Sequence, residues 1–416
     1  MTTIDRSALM NTYGEPPVTF VRGEGSTLFD TEGKPYLDFL GGLAVTSLGH
    51  AHPVVADAIA TQAKTLSHVS NLFGNTIGPE VAVTLDRLIS QGSSLEGEGG
   101  QVFFANSGAE ANECALKLAR RWAGPDRFEV VSTWDAFHGR TLAALAATGQ
   151  VEKQLAFRPL PEGFDHVPYD DLDAMDAACD PTRVAAVLVE PIMGEAGVVM
   201  PSSDYLVGLR QLCTDRNILL MVDEVQTGLG RTGRWFGFQH LGIEPDVVTM
   251  AKALGNGMPV GACWARSEVA AAFVPGDHGS TFGGQPLAMA AVRATLQVME
   301  SEDVPRRAAA AGARLRAGLE KLPGVVSVRG EGLLLGAILS GPYAKDAFAE
   351  SLAAGLVINP PRPDVLRFAP SLLVSEAEID RALDTLGPIL RRLAAAFEAE
   401  VLAGTDPDQA GVGRQP

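Results

Sequence analysis

The chain has 416 residues, 46% of them hydrophobic and 20% charged, the balance of a globular protein whose core needs neither disulfide nor metal. Its 50 acidic and 33 basic residues leave a formal net charge of −17, which argues against nucleic acid or an anionic membrane as partner, since both require a basic face. An anionic small molecule would need its own cationic pocket within that background.

The N-terminal stretch carries Asp5 and Glu15 and no apolar run, so neither a secretory signal nor a membrane span is expected. His50-Ala51-His52-Pro53 reads as a turn rather than half of a metal site, because no third ligand has matching spacing. No metal is expected. Residues 102–105, 130–132, 184–189, 218–222 and 247–250 form short, continuously apolar runs, the pattern of strands buried on both faces of a parallel sheet. Helical spacing lies between them, as in 204–213, where Leu206, Leu209 and Leu212 recur. This alternation predicts an α/β fold.

The C-terminal part predicts a smaller α+β domain. It reads as a helix over 304–321, a strand pair around Gly330-Glu331-Gly332, a helix over 344–354 and the run Val365-Leu366-Arg367-Phe368. A final helix opens with a capping box, Ser375 to Glu378, and aligns Ile379, Leu383, Leu386, Leu390 and Leu393 on one face. Periodicity fades beyond that point, so 394–416 is expected to be a frayed tail. Cys114, Cys179, Cys213 and Cys263 show neither CxxC nor zinc spacing and read as reduced, buried residues of a cytoplasmic protein.

Lys252 follows Val247-Val248-Thr249-Met250-Ala251 and precedes Ala253-Leu254-Gly255. A lysine at the carboxyl end of a buried strand is desolvated, and its pKa falls as a Schiff-base lysine requires. The competing reading is a surface lysine that merely ends a strand. Asp223 ends the preceding run, so two strands present an acid and a lysine at one carboxyl edge, where open α/β sheets bind ligands. Pyridoxal phosphate needs both groups, a lysine to hold it covalently and a carboxylate to keep its ring nitrogen protonated. For the phosphate, the run 102–105 leads into Asn106-Ser107-Gly108-Ala109-Glu110 at a helix start, where free amides and a glycine make an anion site. Gly228-Leu229-Gly230-Arg231-Thr232-Gly233 matches GxGxxG, but no amphipathic helix follows and the next strand ends in Lys252 rather than an acid. NAD binding there is rejected.

Taken together, Asp223-Glu224-Val225-Gln226-Thr227-Gly228, Gly230-Arg231-Thr232-Gly233, Lys252, Ser107-Gly108-Ala109-Glu110-Ala111-Asn112 and Phe137-His138-Gly139-Arg140-Thr141 carry a resemblance. Over nearly its whole length the chain resembles the class III pyridoxal-phosphate aminotransferases of fold type I. The resemblance implies a ping-pong transaminase, homodimeric with shared active sites, in which Lys252 is catalytic. It implies that Ser107, Gly108 and Ala109 hold the phosphate, Phe137 stacks on the ring, Asp223 pairs with the ring nitrogen and Gln226 meets the ring hydroxyl. Thr281 would reach the phosphate in the neighbouring subunit, with Ser280 beside it near the substrate. Gly41-Gly42-Leu43-Ala44-Val45, Gly49-His50 and Ser70-Asn71-Leu72-Phe73 are most similar to members that act on N-acetylornithine and 2-oxoglutarate. Arg140 would then hold the α-carboxylate of N-acetylornithine and Arg367 a carboxylate of glutamate, with Glu195 neutralising Arg367 in between. Arginine suits both tasks, because its fork binds carboxylate through two bonds. Met193 and Ala196 stand where the family usually has glutamine and glycine. Succinylornithine, ornithine or 4-aminobutyrate are alternative substrates, and a non-catalytic binding protein is the alternative from another class. The domains are expected as an N-terminal segment 1–55 packed with the small domain, a large cofactor domain 56–298, the small domain 299–393 and the tail.

Overall fold

The computed structural model describes residues 8–404. Strands β1 (Phe20–Glu24), β2 (Thr27–Asp30) and β3 (Pro35–Asp38) form an antiparallel meander. Seven strands then build the central sheet: β4 (Gly100–Ala105), β5 (Glu129–Thr133), β6 (Phe164–Val167), β7 (Val184–Val189), β8 (Leu219–Asp223), β9 (Val247–Met250) and β10 (Gly261–Arg266). Their order is β4-β10-β9-β8-β7-β5-β6. All neighbours from β6 to β9 pair in parallel. Every residue of β7, β8 and β9 is buried, which is why these strands read as unbroken apolar runs.

Two strands of the central sheet escaped the sequence reading. The strand β6 is short and mixed, Phe164-Asp165-His166-Val167. The other, β10, runs antiparallel to both β4 and β9, and its Gly-Ala-Cys-Trp-Ala-Arg sequence contains no β-branched residue. Because β10 reverses direction between them, β4 and β9 point the same way. The carboxyl ends of β4, β5, β7, β8 and β9 therefore share one edge.

The C-terminal part adds β11 (Val325–Glu331), β12 (Leu334–Leu339), β13 (Leu356–Val357), β14 (Asn359–Arg362) and β15 (Val365–Phe368). Four of them form an antiparallel sheet in the order β11-β12-β15-β14, while β13 pairs in parallel with β3. That pairing joins the N-terminal segment to the small domain. Arg231 ties the same parts to the large one. It is buried, and its guanidinium donates to Leu333 O at 3.2 Å, Pro370 O at 2.6 Å and Ser47 Oγ at 3.1 Å. The GxGxxG-like segment is thus a set of turns packed under the small domain.

The last helix spans Glu376–Leu402 behind the Ser375–Glu378 capping box, so it continues past the 393 boundary expected from periodicity. Ala394 is buried, and the Phe397 ring lies 6.0 Å from that of Tyr343, packing that holds the added turns in place. Residues 405–416 of the expected tail lie outside the described residues. His50 Nε2 lies 2.8 Å from Asp38 Oδ2. Among the described residues no helix is long and apolar enough to cross a membrane.

Candidate active site

Lys252 stands two residues beyond β9 at the start of a short 3-10 turn, Lys252–Gly255, with φ of 38°. Non-glycine residues rarely adopt that left-handed backbone, and such strain collects at functional sites. Burial lowers the Lys252 pKa to about 8 with help from the Arg367 charge, against the opposing pull of Glu195, Glu190 and Asp223.

Asp223 closes β8 and is 4% exposed. Its Oδ2 accepts from His138 Nδ1 and from Asn112 Nδ2, both at 2.8 Å, and its Oδ1 accepts from Val225 N at 3.0 Å. Asn112 is itself fixed, donating to His138 O at 2.7 Å and accepting from Thr249 Oγ1 at 2.7 Å. Charge-assisted bonds of this kind lock a carboxylate in one orientation. His138 is buried, and its Nε2 has no partner among the described residues.

The helix Gly108–Ala123 starts where β4 ends, capped by Ser107, whose hydroxyl accepts from Glu110 N at 3.2 Å. Its first amides have no intrahelical acceptor, which makes the end an anion site. Gly108 is required by crowding, since a Cβ there would lie 2.8 Å from Val225 Cγ1. Phe137 follows β5, and its amide donates to Glu190 Oε1 at 3.0 Å. Burial raises the Glu190 carboxyl to about 7, with His138 pulling down and Asp223 pushing up.

Arg367 lies on β15 and is 2% exposed. One terminal nitrogen donates to Glu195 Oε1 at 2.7 Å, Gly194 O at 3.0 Å and Gln226 Oε1 at 3.1 Å; the other donates to Asn359 Oδ1 at 2.8 Å. Its Nε has no partner among the described residues. Burial would raise the Glu195 carboxyl, but the charge and hydrogen bond of Arg367 outweigh it and hold Glu195 below its usual value. Gly194 is needed here, because a Cβ would fall 2.1 Å from Gln226 Oε1. Met193 and Ala196 do not disturb the arrangement: Met193 and Val199 exchange backbone bonds at 3.0 Å, and Ala196 O accepts from Arg362 at 3.2 Å.

Lys252, Asp223, Gly108, Phe137, Gln226 and Val45 converge on one cavity of about 400 Å³, whereas Arg367 is not on its wall and reaches it only through its bonds to Glu195 and Gln226. Ser107, Ala109, Arg140 and Glu195 also line it, and Arg140 is exposed at its mouth. Larger grooves of about 790 and 940 Å³ lie elsewhere and contain no lysine. Ser280 and Thr281 are not on this wall. Ser280 Oγ accepts from Asn106 Nδ2 at 3.2 Å and from Gly283 N at 2.9 Å, while Thr281 is exposed. The cavity has an amide-rich anion site, a fixed carboxylate, an aromatic platform and a lysine of lowered pKa, a set that fits pyridoxal phosphate. Sequence reasoning missed Glu190 and Asn359 and gave Asn112 and His138 no role. Glu190 ends its buried run as Asp223 does, a signal that could have found it.

Comparison with known proteins agrees with this geometry. The chain is 48% identical over 393 residues to acetylornithine aminotransferase of Mycobacterium bovis, covering 94% of this chain and 96% of that one. It is 48% identical over 394 residues to acetylornithine aminotransferase of Gloeobacter violaceus, covering 92% and 96%. Its fold is similar to that of ornithine aminotransferase from Toxoplasma gondii, with a TM-score of 0.87, 34% identity and coverage of 95% and 94%. The model of the aminotransferase class-III family matches residues 9–390, and the chain belongs to that family.

Proposed function

We propose that this chain transfers the δ-amino group of N2-acetyl-L-ornithine to 2-oxoglutarate, giving N-acetyl-L-glutamate 5-semialdehyde and L-glutamate reversibly, as a step of arginine biosynthesis. Arg367 carries the reading. It is a buried cation near Lys252, neutralised at 2.7 Å by a Glu195 that a substrate carboxylate can displace. A site that alternates between a dicarboxylate and an amine with no second carboxylate needs such an arrangement.

Pyridoxal phosphate supplies the electron sink that acidifies the hydrogen on the amine-bearing carbon. Lys252 would hold it, the Gly108 and Ala109 amides would bind its phosphate beside Ser107, and Asp223 would keep its ring nitrogen protonated. Phe137 would stack on the ring, and Gln226 would meet the ring hydroxyl. Once the substrate amine has taken its place, the freed Lys252 Nζ, with a pKa near 8, retains an unprotonated fraction at neutral pH and can take and return the proton. Arg140 at the mouth holds the α-carboxylate of N-acetylornithine.

The acyl group follows from charge. Free ornithine would bring an α-ammonium next to Val45, and Glu195, an acid of the same cavity, is already paired with Arg367. Acetylation turns that ammonium into a neutral amide. Ser280 and Thr281 lie off their own cavity wall, followed by exposed Phe282, and Asn71, which precedes exposed Leu72 and Phe73, donates to Ser280 O at 2.9 Å, an apolar surface that supports a homodimer whose subunits complete each other's sites. The test is 2-oxoglutarate-dependent turnover of acetylated, succinylated and free ornithine. The reading requires the highest kcat/KM for the acetylated amine, and equal or better use of free ornithine would reject it.

A further inference from the structure

Phe137 has two cations against its ring: the Arg140 guanidinium 5.7 Å from the ring centre and the Lys153 ammonium 5.5 Å from it. Like charges that share one ring repel each other, so a single protein would gain by separating them. Among the described residues neither has a carboxylate of its own. The two acids in this neighbourhood are already engaged, Glu195 with Arg367 at 2.7 Å and Asp135 with Arg362 at 2.7 Å.

Lys153 is not a loose surface chain. It is half-buried on the short helix Val151–Gln154, and its ammonium donates to Gln150 Oε1. Gln150 is itself tied down through its amide nitrogen, to Asp135 O at 3.0 Å and Ala136 O at 3.3 Å. At the other end of the turn Gln154 is buried and donates to Thr148 O at 2.8 Å and Leu145 O at 3.2 Å. The lysine is thus held against the aromatic platform by two glutamines that anchor its backbone. Burial and the Arg140 charge both lower its pKa, a strain that an arriving anion would relieve.

We propose that Lys153 and Arg140 together form the clamp for the substrate carboxylate farthest from the reacting carbon. Resting on the function proposed above, this adds a specificity-determining residue to it. N-acetylornithine presents its α-carboxylate there, and glutamate its γ-carboxylate once Arg367 has taken the α-carboxylate. Lys153 adds a compact charge with rotatable donors to the planar fork of the arginine. An acceptor with one carboxylate would engage Arg367 and leave the clamp empty.

The experiment measures equilibrium binding of glutarate and of pentanoate to the holoenzyme by calorimetry, for wild type, Lys153→Met and Lys153→Arg. Loss of one charge-assisted contact should weaken glutarate about tenfold in Lys153→Met, leave pentanoate unchanged, and be restored largely in Lys153→Arg. The KM for N-acetylornithine should rise by a similar factor. Unchanged glutarate affinity, or an equal loss for both acids, would overturn the clamp. The binding arm does not depend on turnover, so an enzyme that ignores N-acetylornithine yet shows the glutarate-specific loss would reject the substrate and keep the clamp.

Discussion

His138 Nδ1 lies 2.8 Å from Asp223 Oδ2, and the two side chains are almost wholly enclosed. One donor of a three-donor cage therefore comes from the segment that also positions Phe137. Replacing His138 by Phe leaves Asp223 with Asn112 and Val225 alone. A hydrogen bond to a charged group is worth roughly 1.5–3 kcal/mol, so pyridoxal phosphate affinity should fall about ten- to a hundredfold. Titration of the apoenzyme with cofactor measures this, and unchanged affinity would show that the histidine does not support the carboxylate.

Glu195→Gln removes the negative charge from Arg367 while keeping the side-chain shape. Glutamate should then bind more tightly and N-acetylornithine react less well, because Arg367 stays unneutralised beside it. The Glu195 side chain is 29% exposed, so water screens part of the effect. The ratio of the two kcat/KM values should move about tenfold toward glutamate. Single-turnover kinetics of each half-reaction would reveal it, and equal changes in both would contradict the exchange.

Shared sites make a complementation prediction. Lys252→Ala and Thr281→Ala subunits should each have little activity, whereas heterodimers should regain one sound site. Mixed subunits that exchange but recover nothing would refute the contribution of Thr281 across the interface.

Glu224 is buried, accepting from Phe238 N at 2.9 Å and from Thr227 Oγ1. Burial raises its pKa from 4.5 to about 7. The folded state thus binds the proton more tightly than the unfolded chain. Stability from this group is fully present below about pH 4.5 and is lost as pH rises through about 7. Wild type minus Glu224→Gln stability should fall by about 1.4 kcal/mol per pH unit across that window. Urea unfolding of the apoprotein from pH 5 to pH 8 would show it. Parallel curves would mean that the carboxyl does not titrate there.

Much of this site was legible because strand ends are. Lys252 and Asp223 each terminate an apolar run, and Ser107-Gly108 joins a run to a helix, so their meeting at one sheet edge follows from the α/β pattern. The Arg367–Glu195 pair did not follow from pattern, since 172 residues separate its members and only the resemblance linked them. Asn112 was given no role because a polar residue in an amphipathic helix reads as a surface position, whereas here it faces Thr249 and Asp223. The strand β10 stayed hidden because Cys263 and Trp264 pack like strand residues without β-branching. The final helix runs past 393 with Phe397 packed on Tyr343, a tertiary contact that periodicity does not encode.

The central claim is that Lys252 holds the cofactor opposite Asp223. Borohydride reduction of the holoenzyme followed by peptide mapping tests it directly. The label should sit on Lys252, and Lys252→Ala should fold normally yet give no trapped cofactor. Label on any other lysine, Lys153 included, would contradict the account.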